Sequence, residues 1–254
     1  MDARSKRLSL GERLAHEAVY GTILSLPSPE VAEAMALAGF DWLFIDLEHG
    51  TMGILECQRM IQAVGGHAES LVRVPEFTES AIKKVLDTGA GGIIVPKVNT
   101  AKEAEKAVAY SKYPPEGQRG VGATRAHGYG IHFNDYVTRA NQELMVVIQI
   151  EHIDGVENIE QIVDVPGVDV IFIGPYDLSA SMGLMGQLDH PRVLEAIERV
   201  EKVCKDKGIH LGYFGMTAES VQPYIEKGYR LITCGTDTGF LIEGAGKTLS
   251  GLRS

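Results

Sequence analysis

The segment LMVVIQIEHIDGVENIEQIVDVPGVDVIFIG, Leu144 to Gly174, decides how the chain folds. It contains two short apolar runs rich in β-branched residues, LMVVIQIE and DVIFIG, separated by DGVENIEQIVD, whose apolar residues recur at helical spacing. Neither run alternates strictly with polar residues, so each strand is expected to be buried on both faces, as in a parallel sheet covered by helices. The same unit recurs on either side. Candidate strands cover Ala18–Leu24, Trp42–Leu47, Ser70–Val74, Gly92–Lys97, Leu144–Glu151, Asp169–Gly174, His210–Gly215 and Arg230–Gly235. The segments between them carry helical periodicity, and several open on Ser, Thr or Asp and stop at Gly, as helix caps require. Eight strand–helix units in series predict an α/β fold, a closed (β/α)8 TIM barrel. A chain of 254 residues suits a barrel forming one domain over residues 1–254. The longest interruption, YPPEGQRGVGATRAHGYGIHFNDYVTRANQ between strands four and five, is expected to be a functional crossover rather than a second domain.

Composition narrows the partners. With 24 Lys and Arg against 34 Asp and Glu, the net charge of -10 opposes a polyanionic ligand, and no basic stripe with interleaved aromatics is present; nucleic acid is excluded. No apolar run approaches the roughly 20 residues that span a bilayer, and MDARSKRLSLGERL lacks a following apolar core, so a soluble, cytoplasmic protein is expected. Cys57, Cys204 and Cys234 are scattered and odd in number, which fits reduced, mostly buried thiols.

Gln149 and Glu151 are two positions apart and share a strand face. A buried carboxylate with no partner costs several kcal/mol or more, so Glu151 must have a partner or lose its charge. In a barrel of this type the chemistry sits at the carboxyl ends of the strands. There the sequence places DLEHG (Asp46, Glu48, His49), VRVP (Arg73), VPKV (Lys97), QIE (Gln149, Glu151) and IGPYDLSA (Asp177). Carboxylates gathered at one rim repel one another unless a cation lies between them, and a divalent metal is the economical solution. Simpler uses remain open for each group alone. Glu151 could pair with Arg73 or Lys97, Asp177 could cap the helix beginning LSAS, His49 could be structural, and Arg73 could be the partner of Glu48. Placement of all of them at one end of five adjacent strands favours a common site. His152 should point away from Glu151 as a packing or supporting residue. The stretch GAGKT near the end resembles a phosphate loop, but the required first glycine is replaced by Leu241 and no strand follows. The glycines of DTGAGGIIVP precede a strand, which suits a helix stop and close packing rather than a dinucleotide turn.

The stretches DWLFIDLEHG, LVRVP, IIVPKVNTAKEA, YPPEGQRGVG, VVIQIEHIDGVENIEQI and VDVIFIGPYDLSASMG, in that order, closely resemble the HpcH/HpaI family of metal-dependent (class II) pyruvate aldolases over nearly the whole chain. The resemblance implies a barrel of the phosphoenolpyruvate/pyruvate type, with Mg2+, Mn2+ or Co2+ bound by Glu151 and Asp177. It implies that Arg73 meets the oxygen that becomes negative in the reaction, and that Gln149, Gly174, Pro175 and Tyr176 border the ligand. His49 paired with Asp46 is the implied proton-transfer group, with Glu48 supporting. Asp87 would serve the site of a neighbouring subunit in a homohexamer, a trimer of dimers, whose last helix, about 237–252, is exchanged with a partner. The implied reaction is reversible cleavage of a 4-hydroxy-2-oxo acid to pyruvate, or a related 2-oxo acid, and an aldehyde. Alternatives are a 2-oxo acid decarboxylase or a CoA-thioester lyase using the same enolate site, a Schiff-base aldolase through Lys97, and a non-catalytic barrel that binds a 2-oxo acid. Two departures bear on substrate choice: Tyr176 stands where a small residue is common, and Lys97 is basic where many relatives are apolar.

Overall fold

The computed structural model describes residues 8–253. Its eight strands are β1 (Val19–Leu24), β2 (Trp42–Asp46), β3 (Glu69–Arg73), β4 (Gly92–Val95), β5 (Met145–Ile150), β6 (Val170–Ile173), β7 (His210–Gly215) and β8 (Leu231–Thr236). They pair in parallel in sequence order, and β1 closes on β8, so the sheet is a complete barrel. Strand parity sorts the side chains. Trp42, Phe44, Leu71, Ile94, Met145, Val147, Val170, Phe172 and Leu231 fill the lumen, while the alternate residues, such as Leu43, Ile45, Val72, Ile148 and Ile171, pack under the outer helices.

A short helix, α1 (Leu10–Leu14), starts in a capping box of Ser9 and Glu12 and inserts Leu10 and Leu14 into the lumen cluster, closing the amino-terminal end of the barrel. The outer helices are α2 (Pro29–Leu37), α3 (Ile54–Val64), α4 (Glu79–Asp87), α5 (Ala101–Ser111), α6 (Phe133–Glu143), α7 (Ile153–Glu157), α8 (Ile159–Val163), α9 (Pro175–Ser181), α10 (Pro191–Lys207), α11 (Ala218–Glu226) and α12 (Asp237–Arg253). Ser28, Thr78, Thr100 and Thr217 each accept a backbone N–H at a helix start, as their sequence positions predict.

The structure departs from the sequence reading in two places. The single helix expected over DGVENIEQIVD is two, α7 and α8, divided at Asn158 (φ -98°, ψ 10°). The long crossover is not all loop: it holds a 3-10 segment over Arg125–Gly130 and then α6, whose start carries no side-chain cap bond. GAGKT lies inside α12, in agreement with the rejection of a phosphate loop there. Gly92 allows β4 to approach β5, because a Cβ would strike the Met145 carbonyl oxygen. Cys57 and Cys204 are buried free thiols that burial pushes up to about 12. Among the described residues no helix is long and apolar enough to cross a membrane.

Candidate active site

At the carboxyl end the inward-facing column changes from apolar to charged. Phe44 and Phe172, edge to face at 6.0 Å between ring centroids, form the last apolar layer of the lumen. The next inward positions are Asp46 on β2, Arg73 on β3, Gln149 on β5 and Glu151 just beyond it, all buried. Asp46 and Arg73 are directly opposed in the β2–β3 register. The guanidinium therefore meets the carboxylate as a two-toothed fork, Nε to Oδ1 at 2.9 Å and Nη2 to Oδ2 at 2.6 Å. Its Cζ lies 5.1 Å from the Phe44 ring centroid. Burial works against the Arg73 charge, but Asp46, Glu48 and Glu151 outweigh it and hold the group above its ordinary pKa.

Asp46 also shapes the loop that follows. Its Oδ1 accepts the backbone N–H groups of Glu48 at 3.0 Å and His49 at 3.2 Å, an Asx-type turn. The expected pairing of the His49 ring with Asp46 is not made. Arg73 occupies the carboxylate with charge-assisted bonds, and the imidazole turns outward, 65% exposed, with Nε2 3.9 Å from Glu48 Oε2. Glu48 Oε2 is in turn 3.3 Å from Arg73 Nη1.

Glu151 answers the question its position raises. One oxygen, Oε1, accepts the Lys97 backbone N–H at 3.0 Å; the other, Oε2, has no hydrogen-bond partner, and neither does the buried Gln149 Oε1 nearby. The simple ion pair with Arg73 or the Lys97 ammonium is thus not what satisfies it. Burial first, then the charges of Asp177 and Glu48, push the Glu151 carboxyl up to about 7, against the lowering pull of Arg73 and the Lys97 N–H. Gly174 lies against both groups: a Cβ there would come within 2.8 Å of Gln149 Nε2 and 2.9 Å of Glu151 Oε2. Asp177 is in the first turn of α9 and is exposed; Gly174, not Asp177, occupies the N-cap, and no side-chain cap bond is made. Capping therefore does not explain Asp177. Pro175 is the buried first residue of α9, and the Tyr176 ring stands outward, 6.4 Å from Phe214 of β7.

Two residues named from the sequence lie away from this mouth. Asp87 ends α4, on the side where β4 begins, and binds Arg119 Nη2 at 3.0 Å rather than joining the mouth of its own barrel. His152 does not pack; it is a partly exposed N-cap of α7 that accepts the Asp154 N–H. One rim residue escaped the sequence reading. Asp237, buried at the end of β8, accepts Ser25 N, Ser25 Oγ and Leu26 N at 2.8–3.0 Å, tying down the loop after β1. The only sequence signal was an aspartate at a strand end, in CGTDTG.

Among the described residues no group of three or more His, Cys, Asp or Glu side chains converges as a ready-made metal cage. What the rim offers is a buried carboxylate with an unmet oxygen, a second carboxylate whose charge bears on it, and an unmet amide oxygen. A hard divalent cation that keeps several ligands from water or substrate fits such an oxygen-only donor set.

The chain is similar to known proteins over most of its length. The family model described as HpcH/HpaI aldolase/citrate lyase matches residues 20–244. A hydroxypyruvate/pyruvate aldolase of Paraburkholderia phytofirmans is 37% identical over 244 residues, covering 93% of this chain and 94% of that one. A 4-hydroxy-2-oxo-heptane-1,7-dioate aldolase of Escherichia coli is 38% identical over 227 residues, 89% of this chain and 87% of that one. Among solved structures, an HpcH/HpaI aldolase/citrate lyase family protein of Burkholderia cenocepacia superposes with a TM-score of 0.92 at 37% identity, covering 96% of this chain and 99% of that one.

Proposed function

Because the chain belongs to the HpcH/HpaI aldolase/citrate lyase family, we propose that it is a divalent-metal-dependent aldolase, cleaving a 4-hydroxy-2-oxo acid reversibly to pyruvate, or a related 2-oxo acid, and an aldehyde. The observation that carries this reading is the buried Glu151 carboxylate, whose Oε2 has no partner and whose neighbours include two further carboxylates. Glu151 and Asp177 would hold Mg2+, Mn2+ or Co2+, with the remaining positions left to a 2-oxo acid and water. When bound, the ion supplies Lewis-acid polarisation of the 2-oxo group.

The rest of the chemistry falls to the chain's own groups. In cleavage the 4-hydroxyl proton leaves, the C3–C4 electron pair moves into the 2-oxo acid fragment, and its C2 oxygen gains negative charge. Arg73 is the donor for that oxygen, preorganised by the Asp46 fork so that little reorientation accompanies the charge. The Gln149 amide, pressed against Gly174, orients the 2-oxo acid, and Pro175 and Tyr176 border it. His49 takes up the 4-hydroxyl proton and a proton is returned to C3 of the 2-oxo acid fragment, an imidazole nitrogen being able both to accept and to donate one. Its loop is set by Asp46 through the backbone, and Glu48 stands between His49 and Arg73.

Assembly completes the proposal. Beyond buried Asp237, α12 presents Leu241, Ile242 and Leu252 to solvent, the last two 73% and 80% exposed. A homohexamer, a trimer of dimers in which α12 packs on a partner and Asp87 serves a neighbouring site, would cover this apolar face. The direct test of the activity is exchange of the pyruvate methyl protons in deuterated buffer. It should proceed with Mg2+ or Mn2+ and stop with chelator; exchange indifferent to chelation contradicts the reading. Sedimentation should give a mass near six chains.

A further inference from the structure

Lys97 follows β4 and is one of only two non-glycine residues with left-handed backbone among the described residues, at φ 55°. That twist sends its N–H to Glu151 and its side chain across the mouth in the opposite sense, toward β2. Nζ lies 3.1 Å from Glu48 Oε1, and Glu48 Oε2 lies 3.3 Å from Arg73 Nη1. Charges therefore alternate along the rim: Lys97, Glu48, Arg73, Asp46. They are also layered. The side chains of Asp46 and Arg73 are buried and that of Glu48 nearly so, whereas Lys97 is 61% exposed. An ammonium has three donors, and the bond to Glu48 uses one. Left-handed backbone is strained for an L-residue, and glycine would supply the same N–H without that strain. The side chain, not the backbone turn, gives lysine its advantage here.

We infer that Lys97 determines specificity on the aldehyde side, its ammonium receiving a terminal carboxylate, or an equivalent anionic group, on the aldehyde fragment of the substrate. The inference rests on the aldolase reading above and adds the substrate class to it. An anionic aldehyde approaching this site meets a protein of net charge -10 and the carboxylates of Glu48 and Asp177. The outermost Lys97 ammonium offsets that repulsion where the ligand enters and offers two free donors for charge-assisted hydrogen bonds. Lys97 forms no covalent bond in this role.

The test compares aldol addition of pyruvate to succinic semialdehyde and to its neutral methyl ester, with Mg2+ present. The unaltered enzyme should favour the acid in kcat/KM, and the preference should shrink as salt rises. Lys97→Met and Lys97→Gly should each lower the acid-to-ester ratio roughly tenfold, mainly through KM for the acid. Lys97→Glu should invert the preference, and Lys97→Arg should restore most of it. Agreement of the Gly and Met variants separates the ammonium from the backbone turn, since Gly keeps the turn without strain. Pyruvate proton exchange is measured in the same preparations. Exchange retained with an unchanged acid-to-ester ratio overturns the role of Lys97 alone; no exchange in the unaltered enzyme overturns the aldolase reading and this inference with it.

Discussion

The two ends of the barrel treat charge in opposite ways. At the amino-terminal end, Arg13 binds Asp41 at 2.8 Å and Asp41 accepts the Tyr20 N–H. Lys112 Nζ donates to the carbonyls of Asn141 and Leu144 at 2.6 and 2.7 Å, and Asp169 accepts the Val146 N–H at 2.7 Å. These charges staple helix and loop ends to strand starts. At the carboxyl end, Asp46 and Arg73 are equally well paired, but Glu151 Oε2 and Gln149 Oε1 have no partner and Asp177 adds like charge. Paired groups stabilise the fold; unmet ones occur elsewhere too, at Trp42 Nε1 and Tyr229 Oη among others, but the Glu151 and Gln149 oxygens are unmet beside further carboxylates at the mouth, where a cation can satisfy them.

That contrast is broken most severely at Glu151. Glu151→Gln and Asp177→Asn should each lower metal-dependent pyruvate exchange by more than about 10³-fold, with circular dichroism showing an intact barrel. Arg73→Lys should follow, costing about 10²–10³-fold in kcat, because an ammonium cannot make the planar fork to Asp46 and still face the reacting oxygen.

The Glu151 carboxyl is raised to about 7, so the folded, metal-free protein holds a proton that the unfolded chain releases at about pH 4.3. Its contribution is fully present below the unfolded value and is lost as pH rises through 7. Chelated protein should lose roughly 2–3 kcal/mol of unfolding free energy between pH 5 and pH 8, relative to Glu151→Gln, in urea titrations. Added Mg2+ should restore more stability at pH 8 than at pH 5.5, since proton and metal compete for one carboxylate. The smallest effect belongs to the other end. Lys112→Met should destabilise by about 1–3 kcal/mol in the same titrations while kcat per folded chain is unchanged.

The barrel was legible because its signal is local and repeated: each strand is a continuous apolar run, and all eight lie within about two residues of their expected positions. What escaped had weak local signals. Helix α6, PheAsnAspTyr onward, has few apolar residues and no N-cap side-chain bond, and α1 is five residues long. In the site, the rim positions of Asp46, Glu48, Arg73, Gln149 and Glu151 followed from strand parity and could be read in advance. Their pairing could not. The opposition of Asp46 to Arg73 depends on interstrand register, which took Asp46 away from the His49 ring. The left-handed turn at Lys97 and the clamp of Asp237 on the β1 loop arise from tertiary packing that no spacing rule encodes.

The central claim is that Glu151 and Asp177 share a divalent cation at the barrel mouth. Mn2+ binding followed by electron paramagnetic resonance, with and without pyruvate, addresses it without reliance on turnover. One ion should bind per chain, with a spectrum that changes on adding pyruvate, and that site should be lost in both Glu151→Gln and Asp177→Asn. Unchanged Mn2+ binding in the two variants, or no binding by the unaltered protein, would contradict the claim.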